Sequence, residues 1–166
     1  MRHIISILMQ NEAGALARVA ALFSSRGYNI ESLSVAPTDD TAVSRLTLVT
    51  AGSDEVIEQI NKQVLKLVDV VDTADMTISD HIERELLMLK ISIKEKDEER
   101  LAAIIKKAGA RVLDDSPETY TLELTGANRH MDEFIAKVSE FAEIIAVVRS
   151  GAMAISRGKK VLSKAV

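Results

Sequence analysis

At 166 residues the chain is long enough for one ordinary domain or two small ones, and its 47% hydrophobic and 28% charged residues are typical of a chain that folds. A net charge of −4, dispersed basic residues and 3% aromatic residues argue against a nucleic-acid partner, which requires a basic stripe or stacking rings. The absence of cysteine excludes disulfides and thiol nucleophiles and fits a reducing compartment. No window approaches the roughly 18 apolar residues of a membrane span. We therefore expect a cytoplasmic protein without a signal peptide or membrane contact.

The first half of the chain predicts the order βαββαβ. Its strands are rich in β-branched or alternating apolar residues, and its helices carry apolar residues at three- and four-residue spacing. The expected elements are a strand at 2–9, a helix from 15 to the glycine at 27, strands at 29–36 and 43–49, a helix after Ser53 and a strand at 68–76. This order places two helices on one face of a four-stranded antiparallel sheet and leaves the other face needing cover.

The second half repeats this order. The expected elements are a strand at 85–93, a helix at 96–108 ended by Gly109, strands at 110–113 and around 120–124, a helix at 128–141 and a strand at 144–149. We therefore predict an α+β fold of two ferredoxin-like βαββαβ domains in tandem: residues 1–78, a linker at 79–84, and residues 85–166. The last domain includes a basic tail from Ser150, which is either a solvated end or a docking segment for a partner.

No group of residues in the chain predicts catalysis or metal binding. The three histidines, His3, His81 and His130, are scattered and lack metal-ligand spacing, so we expect each to be a surface or edge residue. The clustered carboxylates fall in turns or at helix starts, where they act as caps and solvated faces. Phosphate-binding glycine motifs and hydrolase elbows are absent from the sequence.

The turn from Asn11 to Gly14 is the strongest candidate for a ligand site. It lies between a strand and a helix, where the N–H groups of Gly14, Ala15 and Leu16 would face a ligand at the positive end of the helix. Asn11 and Asn29 offer amides for the polar groups of a small amino acid. Asn and Gly are also the commonest turn residues, so the pattern alone slightly favours a turn that binds nothing.

The run from Asn11 to Asp40, NEAGALARVAALFSSRGYNIESLSVAPTDD, resembles the small, regulatory subunit of acetolactate synthase (acetohydroxyacid synthase), a family whose members contain an ACT domain. The resemblance extends over nearly the whole chain and is weakest at 92–114. It continues through SRLT at 44–47, KLVDVVD at 66–72, ERELLMLK at 83–90, VRSG at 148–151 and SRG at 156–158.

This resemblance implies a subunit with no activity of its own. Such a subunit binds and activates the large, thiamine-diphosphate-dependent catalytic subunit, which forms 2-acetolactate and CO2 from two pyruvates, and it confers feedback inhibition by valine. Thiamine diphosphate, magnesium and FAD would belong to the catalytic subunit, and this chain would hold no cofactor. The resemblance also implies that ACT domains pair side by side into a homodimer and bind valine at the interface. The implied valine-binding residues are Asn11, Ala13, Gly14, Ala15 and Leu16 of one chain and Asn29 and Ile30 of the other.

Two other functions are alternatives to a regulatory subunit. A stand-alone ACT-type sensor could regulate another enzyme or transcription, but the second half contains no helix-turn-helix or basic recognition helix. An independent enzyme on a ferredoxin-like scaffold is disfavoured because no nucleophile, base and metal ligands converge in the sequence.

Overall fold

The computed structural model describes residues 1–159 and Leu162, and the chain forms two compact units. The first unit comprises Met1–Ile82 together with the C-terminal segment that begins at Ala152. The second unit comprises Glu83–Gly151. Within the described residues, no helix is both long enough and apolar enough to cross a membrane.

The first unit has the predicted βαββαβ order. Its elements are β1 (Arg2–Gln10), α1 (Ala15–Ser25), β2 (Ser32–Pro37), β3 (Val43–Ala51), α2 (Asp54–Val64) and β4 (Val70–Asp75). The strands form an antiparallel sheet in the order β2-β3-β1-β4. Alternate residues of β1 and β3, such as Ile5 and Leu46, share one buried core with Val19 of α1 and Ile60 of α2. The two helices therefore cover one face of the sheet, as the sequence predicts.

The second unit repeats the plan. Its elements are β5 (His81–Ser92), a 3-10 turn (Glu95–Asp97), α3 (Glu98–Ala108), β6 (Arg111–Asp114), β7 (Thr119–Gly126), α4 (Asn128–Ser139) and β8 (Glu143–Arg149). The strand order is β6-β7-β5-β8, and Leu89, Leu122 and Phe134 lie in its core. Gly109 ends α3 with a φ of 71°, a left-handed conformation that glycine adopts without strain. The predicted tandem of ferredoxin-like domains is confirmed.

One strand was not predicted. The chain forms β9 (Met153–Ser156) in the C-terminal segment of the first unit. These residues fall in the basic tail predicted from the sequence. Lys159 of that tail is exposed, whereas Lys160 and Lys164 lie outside the described residues.

The C-terminal segment covers the helix-free face of the first sheet. Ala152 and Ala154 form a buried cluster with residues that point away from the helices, namely Ile4, Val49 and Met76. Exposure alternates along β9, since Ala154 is 6% exposed while its neighbour Ile155 is 52% exposed. Over these residues the tail is neither a solvated end nor a free docking segment, because its small side chains pack on the sheet.

The prediction that all three histidines are surface or edge residues is wrong for His3. Its side chain is only 1% exposed, in the middle of the sheet. Nδ1 lies 3.3 Å from a carboxylate oxygen of Asp75, and Nε2 lies 3.5 Å from one of Asp54. No local sequence pattern indicates this burial, because the residues that surround His3 come from β4 and the start of α2, far from it along the chain.

The packing of β9 predicts that substitutions at the neighbouring residues Ala154 and Ile155 differ in their effect on the free energy of unfolding. Ala154→Asp would bury an unpaired carboxylate against the sheet and should lower the free energy of unfolding of the first unit by about 3 kcal/mol. Ile155→Asp, at an exposed position, should change it by less than about 1 kcal/mol. Denaturant unfolding can be followed by Tyr28 fluorescence in a Tyr120→Phe background, since Tyr28 packs edge-on against Phe23 of the first unit. Equal losses for both variants would contradict this packing.

Candidate functional site

The turn between β1 and α1 is held by the loop that joins β2 to β3. The Asn11 main-chain N–H donates to the Ala42 carbonyl at 2.8 Å, and the Asn11 Nδ2 donates to the Thr41 carbonyl at 2.9 Å. With Nδ2 engaged in this way, the side-chain oxygen Oδ1 of Asn11 is the atom left to accept a hydrogen bond from a ligand. Asn11 thus anchors the turn and does not cap the helix.

Gly14 is the N-cap residue that precedes α1. It has a φ of 90° and a ψ of −14°, and it provides no side chain to cap the helix. The first turn of α1 contains no acidic residue that would offset the positive end of the helix dipole. Asn11, Ala13 and Gly14 are all exposed, which leaves this helix end open to solvent.

The next two residues differ in what they offer a ligand. The Ala15 N–H donates to the Glu12 carbonyl at 3.2 Å, and the Ala15 side chain is buried. One of the three expected free N–H groups therefore already has an acceptor within the turn. Leu16 is partly exposed and presents an apolar side chain beside the helix end.

A charged pair that the sequence analysis missed lies against this turn. Arg18 donates through Nη2 to Asp69 at 2.8 Å and also through Nε to the same carboxylate. Asp69 is buried, and its main-chain carbonyl accepts from the Gln10 N–H at 2.7 Å. The hydrogen bond from Arg18 lowers the pKa of the Asp69 carboxyl and raises that of Arg18, so both groups stay ionised. A β-carbon added to Gly14 would lie 2.8 Å from Arg18 Nη1, so the guanidinium touches the turn.

The predicted residues Asn29 and Ile30 lie at the other end of the sheet. The Asn29 carbonyl accepts from the Thr50 hydroxyl at 2.6 Å, and Thr50 pairs with His3 at the start of β1. Asn11 follows the last residue of β1, and the length of that strand puts the two asparagines about 25 Å apart. Asn29 is exposed, while Ile30 is half-buried against the core. One chain therefore groups Asn11 to Leu16 but does not bring Asn29 and Ile30 to them.

Comparison with known proteins gives the class of each half. Residues 5–72 match the AHAS small subunit-like ACT domain, so the first unit contains an ACT domain. Residues 84–158 match the family described as small subunit of acetolactate synthase. No group of His, Cys, Asp or Glu that could hold a metal ion occurs among the residues described. The protein is thus of the ACT-domain regulatory class.

Full-length relatives extend this result. The chain is 43% identical over 162 residues to the acetolactate synthase isozyme 3 small subunit of Escherichia coli (strain K12), covering 98% of this chain and 99% of that protein. It is 44% identical over 163 residues to the acetolactate synthase small subunit of Haemophilus influenzae, covering 96% and 98%. The crystal structure of the acetolactate synthase small subunit from Thermotoga maritima superposes with a TM-score of 0.86 at 30% identity, over 96% of this chain and 99% of that one.

The chain belongs to the acetolactate synthase small-subunit family and is a regulatory, non-catalytic subunit of that enzyme. The resemblance seen in the sequence is confirmed over both halves.

The contact between Gly14 and Arg18 can be tested with a matched glycine. Gly14 and Gly27 both have positive φ, but a β-carbon at Gly27 would meet no atom within 4 Å. Gly27→Ala should therefore cost only the backbone strain, about 1 kcal/mol. Gly14→Ala should cost about 1 kcal/mol more, because the new methyl group displaces the guanidinium from Asp69. Denaturant unfolding followed by Tyr28 fluorescence measures both, and an equal loss would show that Arg18 moves aside freely.

Proposed function

We propose that this chain activates the thiamine-diphosphate-dependent catalytic subunit, which converts two pyruvates to 2-acetolactate and CO2, and makes that reaction sensitive to feedback inhibition by valine. Its membership of the small-subunit family supports the regulatory role. The open helix end at Gly14, with no acidic residue in the first turn, supports an effector that carries a carboxylate.

The main support for the proposal is the distance between the two predicted parts of the site within one chain. Asn11 to Leu16 lie at one end of the sheet, and Asn29 and Ile30 lie at the other. β2 is an edge strand, and a second copy can pair with it antiparallel about a two-fold axis. In such a pair the start of one β2 lies beside the end of the other, close to the loop that holds Asn11. Asn29 of the second copy would then approach Asn11 and Gly14 of the first, which yields two equivalent sites per dimer.

The valine molecule would use each part of this shared site. Its carboxylate would meet the open N-terminus of α1, where the helix dipole favours a negative charge. Its ammonium group would donate to Oδ1 of Asn11 and to oxygen atoms near Asn29 of the second copy. The isopropyl group would lie between Leu16 and the second copy's Ile30.

A site built from two chains links valine binding to the geometry of the dimer. Valine can inhibit only by favouring one arrangement of the two chains over another, and a coupling of about 1 to 3 kcal/mol is typical of such regulation. The direct test is to mix the chain with its cognate catalytic subunit and titrate valine while acetolactate formation is followed. A chain that neither stimulates the catalytic subunit nor makes it valine-sensitive would overturn the proposal.

Gly14→Asp should abolish feedback inhibition in the reconstituted enzyme, because the new carboxylate would occupy the helix end and repel the carboxylate of the ligand. Gly109→Asp is the control, since Gly109 also has positive φ but lies in the second unit, where a β-carbon would meet no atom within 4 Å. This control should retain inhibition by valine. Inhibition that is unchanged in Gly14→Asp would remove the turn from the site.

Mixing two defective chains tests whether the site is shared. Asn11→Ala and Asn29→Ala should each weaken valine binding in calorimetry, and Asn29→Ala should still activate the catalytic subunit. In a mixed dimer of the two variants, one of the two sites would contain both native asparagines. Random exchange should therefore restore about one quarter of the wild-type sites, because half of the dimers are mixed and each has one intact site. A site formed within one chain would regain no binding on mixing.

A further inference from the structure

The loop that joins α2 to β4 presents an apolar side chain to solvent. Val68 is 90% exposed, the largest exposed fraction of any large apolar side chain among the residues described. Leu65 in the same loop is 48% exposed. A lone apolar residue on a protein surface is ordinary, and what sets Val68 apart is how firmly the loop holds it and which residues the loop contacts.

The loop is short and is closed by its own main-chain hydrogen bonds. The Leu67 N–H donates to the Val64 carbonyl at 3.0 Å, and the Leu67 carbonyl accepts from the Val70 N–H at 3.0 Å. Leu67 also packs against the core of the first unit, and Asp69 is buried. Val68 therefore lies between two anchored residues, and the loop holds its side chain outward. A side chain that is positioned in advance loses little conformational freedom when a partner buries it.

Asp69, the residue after Val68, joins this loop to the turn of the proposed valine site. Its main-chain carbonyl accepts from the N–H of Gln10, the last residue of β1, at 2.7 Å. Its carboxylate accepts from Arg18 Nη2 at 2.8 Å, and a β-carbon added to Gly14 would lie 2.8 Å from Nη1 of the same guanidinium. The two segments that flank the turn thus both bind Asp69. A ligand that shifts the turn would act directly on the residue next to Val68.

The loop lies on the side of the first unit away from the proposed dimer contact. It leads into β4, whereas the second copy would pair with β2, and these two strands are the opposite edges of the sheet. A homodimer formed through β2 therefore leaves Val68 in solvent. The other partner of a small subunit of acetolactate synthase is the catalytic subunit, which family membership implies.

We propose that the loop from Leu65 to Val68 is a docking point for the catalytic subunit, with the side chain of Val68 inserted into an apolar pocket of that subunit. Leu65 would pack at the edge of the same contact. Full burial of a valine side chain strengthens binding by roughly 10- to 100-fold. The inference rests on the proposed function, because the catalytic subunit is the partner there as well. It adds the surface by which the valine turn and the catalytic subunit are connected.

Ile78 provides a matched control within the first unit. It is 82% exposed, so an aspartate at this position also replaces an exposed apolar side chain with a charge. Ile78 follows β4 and Val68 precedes it, so the two residues lie at opposite ends of that strand. Of the two, Val68 is the one that adjoins the residue bound to the valine turn.

Binding of the full-length chain to its cognate catalytic subunit can be measured by biolayer interferometry in the absence of valine. Val68→Asp should raise the dissociation constant at least about tenfold, because the aspartate would bring a charge into an apolar pocket. Val68→Ala should raise it at least about threefold through the loss of two methyl groups alone. Ile78→Asp should leave the dissociation constant within about twofold of the wild-type value.

Calorimetric titration with valine shows whether the variants remain folded. Val68→Asp should bind valine as the wild type does, because its side chain is exposed and takes no part in the proposed valine site. If Val68→Asp also lost valine binding, the comparison of Val68→Ala with Ile78→Asp would decide, since Val68→Ala introduces no charge.

The docking surface would be overturned if Val68→Asp or Val68→Ala bound the catalytic subunit as tightly as the wild type, or if Ile78→Asp lost as much affinity as Val68→Asp. A wild-type chain that binds the catalytic subunit without making it sensitive to valine would overturn the proposed feedback role alone, because the interferometry contains no valine. A wild-type chain that does not bind the catalytic subunit would overturn both.

Discussion

Burial of the first sheet on both faces is the constraint on which the rest of the first unit depends. Antiparallel sheets commonly leave one face in water, yet every residue of β1 from His3 to Met9 is buried. Ile5 and Ile7 face the helices, whereas Ile4 lies on the opposite face and packs against Ala152 and Ala154 of the C-terminal segment. Because helices cover only one face, the chain must return after the second unit to cover the other.

The sequence predicts the elements well where the signal is local. The alternation in β3, the apolar spacing of α1 and α2 and the glycine that ends α3 each depend on neighbouring residues, and all of them appear in the structure. β2 begins at Ser32 and not at Asn29, because the first residues of the expected strand contact β3 outside the regular ladder. β9 was missed because its four residues are too few for a periodic pattern, and its buried members are alanines that carry little apolar signal.

The residues of the candidate site also divide into those that a local sequence pattern predicts and those that it does not. Turn chemistry was enough to single out Asn11 and Gly14, since both act within the short link between a strand and a helix. Arg18 was overlooked because its partner, Asp69, is 51 residues away, and no local pattern connects them. The spacing of Gly14 and Arg18, four residues along one helix face, was the available hint that they would touch.

The position of β9 in the chain also determines the order in which the first unit can be completed. Ile4 leaves the ribosome about 150 residues before its partner Ala152, which follows the whole second unit. During synthesis the helix-free face of the first sheet is therefore uncovered while the second unit folds. Contacts of such long sequence separation form slowly because a large loop must close first. The first unit precedes the second along the chain but can be completed only after it.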